Sequence, residues 1–193
     1  MNNKNDIVIV TGISGAGKDY LLKRVLDKNP QIASRFSSYS FGTEVFKRVN
    51  QINQTVQHRD QLKDSLDQEV LNTAVMWVVN FVISQQPVIL NTHIAYKQNG
   101  SIQINPTSDK ALNSRDYIFV RTEPELLLER RMNDDTRNRG VEDILDIDMH
   151  QEIALQAALV IARAIGANFH IIENTEEDNN NNTDKIAKII SLD

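Results

Sequence analysis

The stretch Ile7-Val8-Ile9-Val10-Thr11-Gly12-Ile13-Ser14-Gly15-Ala16-Gly17-Lys18-Asp19 decides how this chain folds. Residues 7–11 are β-branched throughout and end at a glycine, which is the pattern of a short buried strand. From Gly12 the spacing reads G-x-x-x-x-G-K. Leu21, Leu22, Val25 and Leu26 then share one side of a helix expected over 18–27. A strand, a glycine loop and a helix in that order let backbone N–H groups curl around a polyphosphate. The positive end of the helix dipole lies behind them, and the lysine reaches the β- and γ-phosphate oxygens. Gly12, Ile13, Ser14, Gly15, Ala16, Gly17, Lys18 and Asp19 are therefore the candidate nucleotide-phosphate ligands.

Working outward, short apolar runs alternate with longer amphipathic ones. Strands are expected at 36–41, 87–91, 117–120 and 169–172. Helices are expected at 42–51, 59–85, 124–133, 141–165 and 183–190, the last capped by Thr183, with 179–182 as a solvated loop. Strands separated by helices imply βαβ units and a parallel sheet. The expectation is one α/β three-layer domain over 1–193, with ligands at the carboxyl ends of its strands.

Composition narrows the function classes. The chain has 193 residues, enough for one sizeable core. It carries 21 basic and 26 acidic residues, a net charge of −5, which argues against a chain-wide nucleic-acid surface. There is no cysteine, so disulfides, thiolate nucleophiles and Cys-ligated metals are excluded. The longest apolar window, 74–83, is far short of the ~20 residues of a membrane-spanning helix. It reads as core or as a surface between subunits. A cytoplasmic location is expected.

Two positions bear on a metal. A Ser or Thr hydroxyl normally follows the loop lysine and ligates Mg²⁺, but here that residue is Asp19. The strand expected at 87–91 ends in Asn91-Thr92-His93, where such enzymes often carry an Asp. Asp19 is a candidate Mg²⁺ ligand, and its charge would replace the one missing at Asn91. Arg130, Arg131, Arg137 and Arg139 fall within ten residues. Arginine suits phosphates because its planar fork donates paired hydrogen bonds and keeps its charge. Arg59-Asp60 could open a helix and hold a second phosphate group.

Together these residues resemble the archaeal-type adenylate kinase family over nearly the whole chain. The most specific match is Asp134-Asp135-Thr136-Arg137-Asn138-Arg139, close to the family's D-x-T-R-N-R lid segment. Val10 to Lys18, Arg59-Asp60, Asn91-Thr92-His93, Gly42 and Gly166-Ala167 support it. The resemblance implies a P-loop nucleoside-monophosphate kinase with a short lid at about 130–142. Such an enzyme transfers the γ-phosphoryl of ATP to AMP, with Mg²⁺, to give two ADP. By resemblance the loop 12–19 binds ATP. Lys18, Arg130, Arg137 and Arg139 neutralise the moving group, and Arg59, Thr92 and His93 lie near AMP. Some family members are trimers. The chain departs from the family pattern at Asp19, Asn91, Thr43 and Leu155, and over 101–106. The departures leave two other readings open, a catalytically weak nucleotide-binding protein and a kinase of another small phosphate acceptor.

Overall fold

The computed structural model describes residues 4–53, 68–98, 101–104, 106–133, 143–175 and 179–192. The chain runs β1 (Asn5–Thr11), α1 (Lys18–Lys28), α2 (Pro30–Arg35), β2 (Ser37–Ser40), α3 (Phe41–Asn53) and α4 (Gln68–Ser84). Then come β3 (Val88–Asn91), β4 (Ala95–Gln98), β5 (Ser101–Ile104), α5 (Pro106–Leu112) and β6 (Ser114–Arg121). It closes with α6 (Pro124–Met132), α7 (Ile144–Ile165), β7 (Asn168–Glu173) and α8 (Asn179–Ser191).

Five strands form a parallel sheet in the order β2-β3-β1-β6-β7. A sheet covered on both faces requires strands apolar on both sides. Residues 7–10 of β1, 88–90 of β3 and 117–120 of β6 are accordingly buried. Helices α1, α2 and α8 pack together as one group, and α4, α5 and α7 as another. With the sheet these make the three layers expected from the alternation. The register pairs Val10 with Asn91 and Thr11 with Phe119. The segments that leave β1, β3, β6 and β7 therefore meet at one edge of the sheet, and the site lies there.

Several features differ from the sequence reading, among them the short helix α2, for which no element was expected. Residues 179–182 begin α8 and are not a loop. Asparagine is a weak helix former, but tertiary partners override propensity here. Asn182 Nδ2 donates to the Glu173 carbonyl at 2.6 Å, and Asn180 Oδ1 accepts from Arg24 at 2.5 Å and Lys28 at 2.8 Å. Thr183 consequently sits inside the helix, fully buried, and not at its cap. The segment after His93 forms an antiparallel hairpin, β4 with β5, apart from the main sheet. Pro106 opens the short helix α5, where its missing N–H leaves no bond unmade.

An aromatic cluster joins β2, α3 and α4. Trp77 stacks on Phe81 with centroids 5.4 Å apart, and Phe81 meets Tyr39 edge-on at 5.2 Å. The Arg48 guanidinium lies over the Trp77 ring at 4.7 Å. Among the described residues no helix is long and apolar enough to cross a membrane.

Beneath α5, the Tyr117 hydroxyl donates to Asp109 Oδ2 at 2.6 Å, and both residues are buried. Burial pushes the Asp109 carboxyl up from its ordinary 3.8 to about 6, against the opposing pull of the Tyr117 hydrogen bond. Burial, then the Asp109 charge and hydrogen bond, hold the Tyr117 hydroxyl well above its usual range. In the unfolded chain Asp109 releases its proton near pH 4. The folded protein therefore binds more protons between about pH 4 and 6, and stability falls as pH rises through that window. The Asp109 contribution is on the order of 3 kcal/mol. Asp109→Asn should abolish it. Denaturant unfolding of both proteins at pH 4 and pH 7 checks this, and an equal stability difference at the two pH values would refute it.

Candidate nucleotide-binding site

The loop between β1 and α1 is shaped by what surrounds it. Gly12 has φ 146°, and a Cβ there would stand 2.5 Å from the Val120 carbonyl oxygen. Gly17 has φ 81°, and a Cβ there would stand 2.5 Å from Asn174 Nδ2. Only glycine allows both the left-handed backbone and these approaches. Behind the loop, side chains from three elements hold its carbonyls. Arg131 of α6 donates Nε at 3.0 Å and Nη2 at 2.8 Å to the Ser14 carbonyl. The Ala16 carbonyl accepts from Thr122 Oγ1 at 3.2 Å and from Asn174 Nδ2 at 2.8 Å. Thr122 is itself fixed by the buried Gln151, which accepts from its N–H at 3.0 Å and donates to its carbonyl at 2.8 Å. Carbonyls held from behind turn the peptide N–H groups toward the opposite, phosphate-facing side.

Lys18 is buried under the loop. Its ammonium donates to the Gly12 and Ile13 carbonyls, each at 2.9 Å, and to His93 Nε2 at 3.2 Å. An ammonium cannot accept, so His93 meets it through an unprotonated Nε2. His93, which the resemblance groups with the acceptor nucleotide, packs against the loop lysine. Thr92 is buried, and its N–H donates to the Val10 carbonyl at 3.0 Å, which extends the β3–β1 pairing. Arg130 lies beside Gly17, its Nη1 3.4 Å from where a Gly17 Cβ would stand. That nitrogen is buried with no hydrogen-bond partner among the described residues, an arrangement that suits an incoming anion. Arg59, Arg137 and Arg139, and most of the expected lid, lie outside the described residues.

Asp19 and Asn91 meet. Asn91 Nδ2 donates to Asp19 Oδ1, and Asn91 Oδ1 is buried without a partner among the described residues. Mg²⁺ takes oxygen ligands, commonly one or two from protein and the rest from phosphates and water. A carboxylate beside an orphaned amide oxygen fits that demand. Both residues line a cleft of about 270 Å³ that also involves Leu22, Ser38, Tyr39 and Ser40.

Sequence reasoning missed the supports. Arg131 was visible in the arginine cluster, but nothing in its spacing separated it from Arg130. Asn174 follows the last strand, and its place at a carboxyl end of the sheet was the available signal. Gln151 carries no motif and is found only through its contacts with Thr122.

Known proteins give this geometry a family. A family model described as an AAA domain matches residues 11–148. The adenylate kinase of Pyrococcus abyssi is 30% identical, over 89% of this chain and 87% of that protein. The adenylate kinase of Thermoplasma acidophilum is 28% identical, over 96% of this chain and 98% of that protein. Among solved structures, shikimate kinase from Acinetobacter baumannii in complex with shikimate superposes with a TM-score of 0.58. It is 18% identical and covers 95% of this chain and 92% of its own, a likeness of fold. On the family match and the Pyrococcus identity, the chain belongs to the P-loop kinases of the AAA-domain family and, among them, to the archaeal-type adenylate kinases.

Proposed function

We propose that this protein is a nucleoside-monophosphate kinase that moves the γ-phosphoryl of ATP to AMP and yields two ADP. The observation that carries the reading is the glycine loop, with its carbonyls held from behind and a buried lysine beneath it. The adenylate kinase names of its relatives support ATP and AMP as the pair.

The loop's N–H groups and the start of α1 hold the ATP phosphates. Lys18 exchanges its carbonyl acceptors for β- and γ-phosphate oxygens, and His93 steers it from the β3 side. Arg130 offers its unpartnered nitrogen to the same phosphates. Arg137 and Arg139, by resemblance, close over the moving group, while Arg59 and Thr92 face the acceptor. An acceptor phosphate oxygen forms the new bond to the γ-phosphorus as the bond to the β–γ bridging oxygen breaks. The acceptor phosphate is already ionised at neutral pH, so no general base is required, and positioning and charge neutralisation carry the rate. Asp19 and Asn91 would hold Mg²⁺, which when bound neutralises charge on the nucleotide phosphates. A cytoplasmic location and a homo-oligomer such as a trimer remain part of the proposal, by resemblance.

A second reading rests on the cleft beside Asp19. Among the described residues its polar lining is Ser38, Tyr39, Ser40, Asn91, Asp19, Asp27 and Lys23, with no arginine. Two carboxylates against one ammonium favour a hydroxyl-bearing acceptor over a phosphate-bearing one.

A coupled assay for ADP formation from ATP, with AMP and other small acceptors in parallel and with or without Mg²⁺, separates the readings. Mg²⁺-dependent turnover on AMP is expected. Turnover only on a hydroxyl acceptor would favour the second reading. ATP binding with no turnover on any acceptor would leave a nucleotide-binding protein without useful catalysis. Lys18→Ala should lower kcat/KM by about 10²-fold or more, and an unimpaired variant would overturn the loop assignment. Arg131→Lys keeps the charge but loses the fork on Ser14. It should lower stability by about 1–2 kcal/mol and weaken ATP binding about tenfold. Calorimetry that finds wild-type ATP affinity in this variant would show that Arg131 does not shape the loop.

A further inference from the structure

We propose that Asp19 and Asn91 form an inverted metal seat. The carboxylate that binds the cation stands on the first turn of α1, and the neutral residue that orients it stands at the end of β3. The inference rests on the kinase reading only in that a nucleotide polyphosphate supplies the cation's remaining ligands.

The geometry starts from the contact between the two side chains. A carboxylate only accepts hydrogen bonds, so the amide must turn its NH₂ toward Asp19. That chemistry decides which way the amide points, although its oxygen and nitrogen have similar shapes. The amide oxygen then faces away from Asp19 Oδ1. It is buried and has no partner among the described residues, in a residue only 5% exposed. A buried acceptor without a donor costs about 1–3 kcal/mol, and such a group in a folded protein calls for a partner. Asp19, by contrast, is exposed, so its carboxylate is open to the cleft that both residues line. A cation, or a water in its shell, supplies the partner that Asn91 Oδ1 lacks and meets the charge of Asp19. Among the described residues no group of three or more His, Asp or Glu could cage a metal by itself. The seat therefore holds Mg²⁺ weakly alone and well only with phosphate oxygens.

The usual arrangement has a hydroxyl after the loop lysine and a carboxylate at the strand end. Here the charge has crossed the contact. One negative charge and one hydrogen bond are kept, and the bond's polarity is reversed. An exchange of this kind makes the two positions strongly coupled. Asn91→Asp alone sets two carboxylates against each other, Asp19→Ser alone leaves no charge, and the double exchange restores one charge and one bond.

The test is ATP affinity by calorimetry, in excess EDTA and in excess Mg²⁺, with Mn²⁺ bound to the protein–ATP complex counted by electron paramagnetic resonance. Asp19→Asn keeps the shape and removes the charge. It should bind ATP more tightly than wild type without metal, because the repelling carboxylate is gone. It should lose about tenfold or more of the enhancement by metal. Asp19→Ser should lose it too, and Asp19→Ser with Asn91→Asp should regain it along with the Mn²⁺ signal. An Asp19→Asn protein with the wild-type ratio of Mg²⁺ to EDTA affinity overturns the proposal. So does a double exchange that melts like wild type yet binds metal no better than Asp19→Ser. If the double exchange fails to fold, Asp19→Asn decides alone. No readout involves an acceptor. A protein that passes but makes no ADP with any acceptor sinks the kinase reading and leaves this one standing. A competent kinase indifferent to Asp19→Asn does the reverse.

Discussion

The close approach of the Gly12 backbone to the Val120 carbonyl is the constraint on which the site depends. The chain leaving β1 must pass over the end of β6 with no room for a Cβ. That passage sets the loop between the sheet edge and α6, within reach of Thr122, Asn174 and Arg131. The sheet fixes where those supports stand, because parallel pairing of β1 with β3 and β6 brings the strand ends level. Core packing and phosphate chemistry are thus linked by geometry. The apolar strands that hold the domain together also set the spacing of the polar side chains at their ends.

In the free protein the loop is already furnished with hydrogen bonds. Lys18 spends its ammonium on two loop carbonyls and His93. An arriving phosphate therefore exchanges acceptors and does not simply add them, and exchanged hydrogen bonds contribute little net free energy. Binding strength must come from polar groups that are not already matched. Among the described residues Arg130 Nη1 is buried without a partner, as are Asn91 Oδ1 and Asn174 Oδ1 at the ends of β3 and β7. These three groups gain most when a ligand arrives, so the site is preorganised where it is satisfied and receptive where it is not.

Much of this was legible in the amino-acid order. The loop, its lysine and the parallel sheet follow from β-branched strands ending in glycine and from the alternation of short and long apolar runs. The β4–β5 hairpin was legible too but went unread. Asn99-Gly100 between two short segments, the second of them alternating, is a hairpin signal. Other features were out of reach for physical reasons. Residues 179–182 look like a loop because asparagine disfavours helix, and the contacts that favour helix there, with Glu173, Arg24 and Lys28, come from elsewhere in the chain. The contact of Asn91 with Asp19 spans 72 positions, and no local pattern encodes such a pair. The same holds for the grip of Gln151 on Thr122, which leaves no motif in either segment.

The aromatic cluster on α3 and α4 has an optical consequence. Trp77 is the chain's single tryptophan. It stacks on Phe81 under the Arg48 guanidinium, on the helices that flank the segment carrying Arg59. Indole emission responds to nearby charge and to solvent contact, so a shift of α3 against α4 changes its colour and yield. The protein thus carries its own fluorophore on α4, far in sequence from Lys18. Movement there can be followed in the native protein without a label.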